Sequence, residues 1–253
     1  MELKTNRMKY LMLTFLSVMA LKVQSQSAID IIRKADEKMR GESSKSEMTM
    51  SIIRPDWKRE VTMKGWSLGT EYSIILITGP ARDKGQAFLK RKNEMWNWQP
   101  TINRVIKLPP SMMLQSWMGS DFTNDDLVKE SSVVEDYTHK LEKDSVVNGL
   151  EVYKITLTPK PDAPVVWGKI VTYIDKKEFN QQLVYYYDED DYLVNTMILS
   201  DIREMGGKII PARMEMIPAD NPDQKTVIQY QDLQFDIDVN EQFFSLQNMK
   251  RVR

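Results

Sequence analysis

The sequence predicts a mainly β protein, with a large antiparallel sheet that curls and is accompanied by a few helices. Two observations predict this class. Short segments of alternating apolar and polar residues recur from residue 46 to residue 235, separated by turn signals such as Asn148-Gly149 and Gly206-Gly207. Helical periodicity is confined to a few short stretches, without the regular alternation of strand and helix that builds parallel sheets. A sheet with this many strands is expected to curl, because curling protects its edges.

The first 25 residues predict a secretory signal peptide. Basic residues from Lys4 to Lys9 precede an apolar run from Tyr10 to Leu21, and Val23-Gln24-Ser25 is a small-residue cleavage pattern. The apolar run has ~12 residues, fewer than the ~20 that span a bilayer. We therefore expect cleavage before Gln26 and a mature protein in the periplasm, with an uncleaved anchor as the alternative.

Composition excludes several classes of protein. The 253-residue chain contains no cysteine, so an exported form has no disulfide framework and no lipobox cysteine for a lipid anchor of its own. Its hydrophobic content of 42% is sufficient for a core. Without the signal peptide, 31 basic and 35 acidic residues remain, which argues against nucleic acid as a partner. No compositional break divides residues 26–253, so we predict a single β domain.

The first predicted element of the mature chain is an amphipathic helix from Ala28 to Arg40, which has an apolar face containing Ile31, Ile32, Ala35 and Met39 and which ends at Gly41. The period then changes to two, first in a hairpin around the turn Arg54-Pro55-Asp56. Further strands are predicted at residues 71–78, 86–90, 94–99, 102–108, 137–142, 151–159, 165–174, 181–188, 194–203, 208–217 and 225–235.

Candidate catalytic and metal-binding residues are few. His139 is the single histidine, which excludes a zinc site built from several histidines, and no G-x-S-x-G elbow provides a nucleophile. Gly206-Gly207 fits a hairpin turn better than a phosphate loop, and the acidic run from Asp188 to Asp191 lacks the spacing of an EF-hand. We expect no enzyme, no catalytic residue, no metal and no cofactor; a hydrolase using His139 and an aspartate is the minor alternative.

The segment from Met112 to Phe122 is rich in apolar residues but has no strand period. Thr123, with Asp126 three residues later, predicts the capped start of a helix. The spacing of Met113 and Trp117 favours a short helix or flap laid across the apolar face of the sheet. Both an internal plug and a movable lid are consistent with this pattern.

Several short motifs are distributed along the mature chain. The most specific is Met118-Gly119-Ser120-Asp121-Phe122, followed by Asn124, Asp126 and Leu127. The others are Asp83-Lys84-Gly85, Trp98-Gln99-Pro100 with Arg104, Tyr173-Ile174-Asp175 and Pro211-Ala212-Arg213-Met214-Glu215-Met216. With these motifs the chain resembles the outer-membrane lipoprotein-sorting proteins of the Lol-type carrier superfamily, in a divergent Gly-Ser-Asp-Phe branch. The resemblance covers almost the whole mature chain.

The resemblance implies an incomplete β-barrel, in which a curled antiparallel sheet wraps over an amphipathic helix and lid helices around an apolar cavity. It implies a non-catalytic periplasmic carrier that shields a lipid or lipoprotein acyl chain for outer-membrane lipoprotein or lipid sorting. The implied partners are an inner-membrane transporter and an outer-membrane acceptor. An accessory or sensor module that docks on an inner-membrane lipid exporter or envelope-signalling protein is the alternative.

Candidate lipid contacts follow from strand alternation and from the abundance of methionine. Thirteen of the 17 methionines lie outside the signal peptide, and the flexible thioether suits irregular apolar ligands, although it also fills cores. The predicted lipid-binding residues are Met63, Trp66, Trp96, Trp98, Met112, Met113, Trp117, Met118, Phe122, Met214 and Met216. The predicted lid motif consists of Gly119, Ser120, Asp121 and Asp126.

Overall fold

A computed structural model describes residues 26–92, 94–128 and 132–252 of the chain. The predicted signal peptide lies outside the described residues. Fourteen strands form one antiparallel sheet, in the order β6-β5-β4-β3-β2-β1-β14-β13-β12-β11-β10-β9-β7, and β8 pairs with β9. The first and last strands of this order are not paired with each other within the described ranges, so the barrel is incomplete. The predicted fold class is confirmed.

The strands are β1 (Ser43–Ile53), β2 (Lys58–Leu68), β3 (Tyr72–Gly79), β4 (Ala87–Arg91), β5 (Glu94–Gln99), β6 (Arg104–Leu108), β7 (Tyr137–Leu141), β8 (Ser145–Val147), β9 (Leu150–Pro159), β10 (Lys169–Asp175), β11 (Gln181–Tyr187), β12 (Leu193–Met205), β13 (Lys208–Pro218) and β14 (Lys225–Phe235). The α-helices are α1 (Ala28–Arg40), α2 (Asn124–Val128), α3 (Ser132–Glu135) and α4 (Leu246–Met249). Two 3-10 turns cover Pro100–Ile102 and Pro110–Met112.

Helix α1 has the predicted bounds. Its first turn is capped by Ser27, whose hydroxyl accepts a hydrogen bond from the backbone N–H of Asp30 at 3.3 Å. Gly41 ends the helix with a positive φ of 71°, a conformation that glycine adopts without the strain of a side chain. The apolar face buries Ile31 and Ile32 against the sheet.

The sheet has two apolar faces, and each carries its own cluster. We call the face that carries Met48, Met50 and Ile52 the inner face, because these strand residues contribute to the core that also contains α1. The outer face of β2 to β5 is covered by the C-terminal segment, in which Phe244 and Met249 are buried. Alternate residues of the same strands therefore enter different cores.

Three local features differ from the predicted elements. Strand β6 begins at Arg104 rather than Ile102, because a 3-10 turn and the left-handed Asn103 come first. Strand β10 begins at Lys169 rather than Val165. Strand β8 and helix α4 were not predicted; both are short, and three or four residues do not establish a period. None of the helices in the described ranges has the length and apolarity needed to cross a membrane.

Candidate functional site

A cavity of about 270 Å³ lies between α1 and the inner face of the sheet. Most of its wall is apolar, and five methionines contribute to it: Met39, Met48, Met63, Met197 and Met214. Methionine has three rotatable bonds and a polarizable sulfur, so a wall rich in methionine adapts to ligands of different shape. The cavity is thus chemically suited to a flexible apolar chain.

Strand register explains why these methionines meet. Met48 of β1 stands opposite Met63 of β2, and Met214 of β13 stands opposite Ile228 of β14. Side chains that are directly opposite on one face of an antiparallel pair lie about 5 Å apart. The wall is therefore continuous across β2, β1, β14 and β13, although its residues are far apart in the sequence.

The segment from Pro110 to Asp126, which we call the flap, packs on the inner face beside this cavity. Trp117 at its centre is fully buried, and the ring of Trp117 lies 5.1 Å from that of Phe88 on β4. The predicted helical spacing of Met113 and Trp117 is wrong, because residues 113–123 form turns closed by a bridge between Ser116 and Thr123. Trp117 is instead buried by a tight loop.

The tight loop depends on the Gly-Ser-Asp-Phe motif. Met118 and Gly119 both have positive φ, of 53° and 79°. In the backbone, the N–H of Trp117 donates to the carbonyl of Phe122 at 2.8 Å, and the hydroxyl of Ser116 donates to that of Ser120 at 2.5 Å. A left-handed turn of this kind favours glycine, which gives Gly119 a structural role.

Two arginines from the β1–β2 hairpin hold the flap in place. The guanidinium of Arg54 donates to both carboxylate oxygens of Asp121, at 3.0 and 2.9 Å, and the hydroxyl of Thr226 donates to the same carboxylate at 2.7 Å. Arg59 donates to the carbonyl of Met118 at 3.1 Å and to Asp83 at 2.6 Å. Paired arginine and carboxylate groups of this geometry are strong and directional. Asp121 is thus an anchor of the flap.

The predicted helix start at Thr123 is confirmed. The N–H of Asp126 donates to the Thr123 hydroxyl at 3.1 Å, and the N–H of Thr123 donates to the Asp126 carboxylate at 2.8 Å, which is a reciprocal capping box. The indole N–H of Trp167 donates to the other carboxylate oxygen at 2.9 Å. Burial raises the pKa of Asp126, and its hydrogen bonds to Thr123 and Trp167 oppose that shift.

The residues predicted to contact lipid occupy three places. Met63, Trp66, Phe122 and Met214 contribute to the cavity wall. Trp117, Met118 and Met216 belong to the inner core or pack against it, while Met113 joins a separate cluster with Met95 and Met112 ends the preceding 3-10 turn. Trp96 and Trp98 belong to the outer-face cluster, away from the cavity. The ring of Trp66 also packs on the outer side, 6.0 Å from Phe243.

The position of Trp96 and Trp98 corrects the prediction that they face the cavity. Alternation shows that the two side chains share a face, but it does not show which face is inside. Trp98 is buried beside Phe244, and the ammonium of Lys250 lies 5.1 Å from the centre of its ring. The apolar C-terminal segment, which the strand pattern left unassigned, covers this second face.

Other wall residues were missed by the sequence reasoning. Asp36, Met39 and Arg40 of α1 line the cavity, as do Lys90 of β4 and Trp167, which precedes β10. The helical wheel of α1 contains a signal for the first three, because positions 36, 39 and 40 adjoin the buried positions 32 and 35. No local pattern identifies Lys90, since its place depends on the order of strands in the sheet.

The acidic and histidine residues show no metal geometry. In residues 26–92, 94–128 and 132–252, no group of three or more histidine, aspartate or glutamate side chains is arranged to hold a metal ion. His139 Nε2 lies 2.7 Å from the carbonyl oxygen of Val133, and the ring is not part of the cavity wall.

Comparison with known proteins places the chain in a family. A family model described as "-like: Uncharacterized protein" matches residues 69–251, which is most of the chain. The chain belongs to this family. Membership rests on the region that contains β3 to β14 and the flap. No curated protein sequence matches the chain.

Solved structures assign this family member to the lipoprotein-sorting fold. An outer-membrane lipoprotein-sorting protein domain from Vibrio parahaemolyticus superposes with a TM-score of 0.79 and 22% identity, covering 88% of this chain and 98% of that one. A DUF1329 family protein from Desulfovibrio piger gives 0.80 and 23%, covering 88% and 97%. A LolA superfamily protein from Nitrosomonas europaea gives 0.77 and 23%, covering 88% and 99%. The resemblance predicted from the sequence is confirmed, and these identities establish the fold.

Proposed function

We propose that this family member is a non-catalytic periplasmic carrier that shields an acyl chain of a lipid or lipoprotein in the cavity beneath α1. The observation that carries the proposal is the methionine-rich cavity on the inner face of an incomplete barrel. The lipoprotein-sorting fold of its structural neighbours supports the same function. Outer-membrane lipoprotein or lipid sorting is the process that such a carrier serves.

The energetics of acyl-chain burial fit a carrier. Each CH₂ group removed from water contributes about 0.8 kcal/mol, so one long chain contributes on the order of 10 kcal/mol before ordering costs. A carrier must also release its cargo, and flexible methionine side chains bind adaptively rather than through one rigid fit. The transfer partners we propose are an inner-membrane transporter and an outer-membrane acceptor.

Gly65 on β2 allows a direct test of the cavity. A side chain at this position points to the inner face, where its Cβ would lie 2.7 Å from the hydroxyl of Ser46 and 3.3 Å from Met48. The glycine has ordinary strand geometry, so Gly65→Leu fills cavity volume without a left-handed strain. Glu60→Leu, on the outer side of the same strand and exposed, is the matched control.

The experiment is native mass spectrometry and lipid analysis of the protein purified from cells with its leader. The wild-type protein and Glu60→Leu are expected to carry an acyl lipid, whereas Gly65→Leu is expected to be empty while it remains folded. Wild-type protein that is always empty and takes up no acyl lipid in solution would refute the proposal. A stable protein partner whose binding survives Gly65→Leu would favour the accessory or sensor module instead.

A further inference from the structure

One end of the cavity is lined by a row of polar side chains that crosses four strands. Ser44 of β1 stands opposite Ser67 of β2, Ser67 opposite Ser73 of β3, and Ser73 opposite Lys90 of β4. All four line the cavity, and the hydroxyl oxygens of Ser44 and Ser67 are 2.7 Å apart. We call these four residues the polar row. Hydroxyl and ammonium groups together provide several donors on one surface.

Lys90 places a positive charge in this wall. Its side chain is buried, with an exposure of 6%, and its ammonium donates to the backbone carbonyl of Thr70 at 2.5 Å. Thr70 belongs to the exposed turn between β2 and β3, so the polar row lies near the rim of the cavity. Burying an ammonium group is costly, and its retention in a cavity wall marks a site where charge is used.

The last turn of α1 adds a second cation above the row. Arg40 forms an ion pair with Asp36, and both side chains line the cavity. Burial raises the pKa of Asp36, while the charges of Arg40 and Lys90 lower it, which places Lys90 close to this pair. Within the described part of the chain the Nε–H of Arg40 is buried and has no hydrogen-bond partner. This end of the cavity therefore contains two cations, one carboxylate and an unused donor.

The acidic residues of the wall belong to the other end. Asp125 and Asp126 belong to the flap, which is anchored at Thr226, and Thr226 stands opposite Ile52 of β1. Ser44 and Ile52 are separated along β1 by about 26 Å at about 3.3 Å per residue. A bound anion is attracted to Arg40 and Lys90 and repelled by the flap. The methionine wall lies between the two ends.

We propose that the cargo is an amphiphile with an anionic headgroup of the phosphate type, held with its headgroup on the polar row and its acyl part against the methionine wall. Arginine and lysine bind phosphate oxygens through charge-assisted hydrogen bonds, and serine hydroxyls donate to the remaining oxygens. This inference rests on the proposed carrier function and specifies its class of cargo and the orientation of that cargo.

The test compares three soluble probes by native mass spectrometry and fluorescence titration: dioctanoyl-phosphatidylglycerol, the neutral dioctanoylglycerol with the same chains, and glycerol phosphate without chains. Lys90→Gln removes the buried charge, and Lys140→Gln on the exposed edge of β7 is the matched control. Ser67→Asp, which adds an anion to the polar row, is a second variant should Lys90→Gln fail to fold. Thermal unfolding of each variant verifies its fold.

The wild-type protein is expected to bind the phosphatidylglycerol probe about tenfold more tightly than the neutral lipid, because one charge-assisted hydrogen bond contributes about that factor. Lys90→Gln and Ser67→Asp should abolish this preference and leave binding of the neutral lipid within about twofold. Equal affinity for both lipids, or equal affinity for glycerol phosphate alone, overturns the headgroup proposal. Failure of every acyl probe to bind contradicts the carrier function itself, so the two failures are distinguishable.

Discussion

The anchor between Arg54 and Asp121 offers the most quantitative test of the structure. Both side chains are largely buried, with exposures of 13% and 8%, and Asp121 accepts hydrogen bonds from Arg54 and from Thr226. Removing one member of a buried pair leaves the other charge uncompensated, which costs about 3–5 kcal/mol. Asp121→Ala is therefore expected to lower the free energy of unfolding by about that amount.

Urea denaturation of the wild type, Asp121→Ala, Arg54→Ala and the double variant measures this contribution and the coupling between the partners. The double variant should be less destabilised than the sum of the single variants, because no charge remains buried alone. The exposed pair Lys58 and Glu60, whose nitrogen and oxygen lie 2.8 Å apart, is the control, and Lys58→Ala should change stability by less than about 1 kcal/mol. If Asp121→Ala behaves like this surface pair, the flap is not anchored as described.

Three further predictions concern stability. Trp117→Ala should cost about 3–5 kcal/mol in urea unfolding, because the indole is fully buried against Phe88; a cost below about 1 kcal/mol contradicts its burial. Burial raises the pKa of Asp126 above the ordinary 3.8, so its contribution to stability is full below that pH and is lost as the pH rises through the raised folded value; thermal melts of Asp126→Asn should lack this dependence, which amounts to about 1.4 kcal/mol for each unit of pKa shift. Gly41→Ala should be more destabilising than Gly69→Ala, since both have positive φ but only at Gly41 does a Cβ meet a neighbour, the Phe235 ring at 2.6 Å; equal thermal shifts would contradict this clash.

Local signals in the sequence were sufficient for α1, for most strands and for the capping box at Thr123. In α1 the apolar period and the terminal Gly41 determine the helix without reference to the rest of the chain. Thr123 and Asp126 form their reciprocal hydrogen bonds across three residues. Such features depend on short-range chemistry, so their prediction needs no knowledge of the sheet.

Features that depend on strand order were not predictable in the same way. Trp98 and Met214 follow the same alternation, yet one lies beneath the C-terminal segment and the other in the cavity wall. The anchor joins Arg54 to a carboxylate 67 residues later, and the polar row requires the register of three strand pairs. These contacts follow only once the sheet is assembled, because each depends on residues that are distant in the sequence.

The anchored flap also bears on where cargo enters and leaves. Opening the flap would break the bidentate pair of Arg54 and Asp121 and expose the buried Trp117, at a cost of several kcal/mol. At the opposite end, the cavity is bordered by the short turn of Gly69 and Thr70 and by the end of α1. We therefore interpret the flap as a plug and expect cargo to exchange at the polar end. Asp121→Ala should then leave the dissociation rate of a bound dioctanoyl lipid within about twofold in stopped-flow fluorescence, despite its loss of stability. Acceleration of dissociation in proportion to that loss would show that the flap is a movable lid.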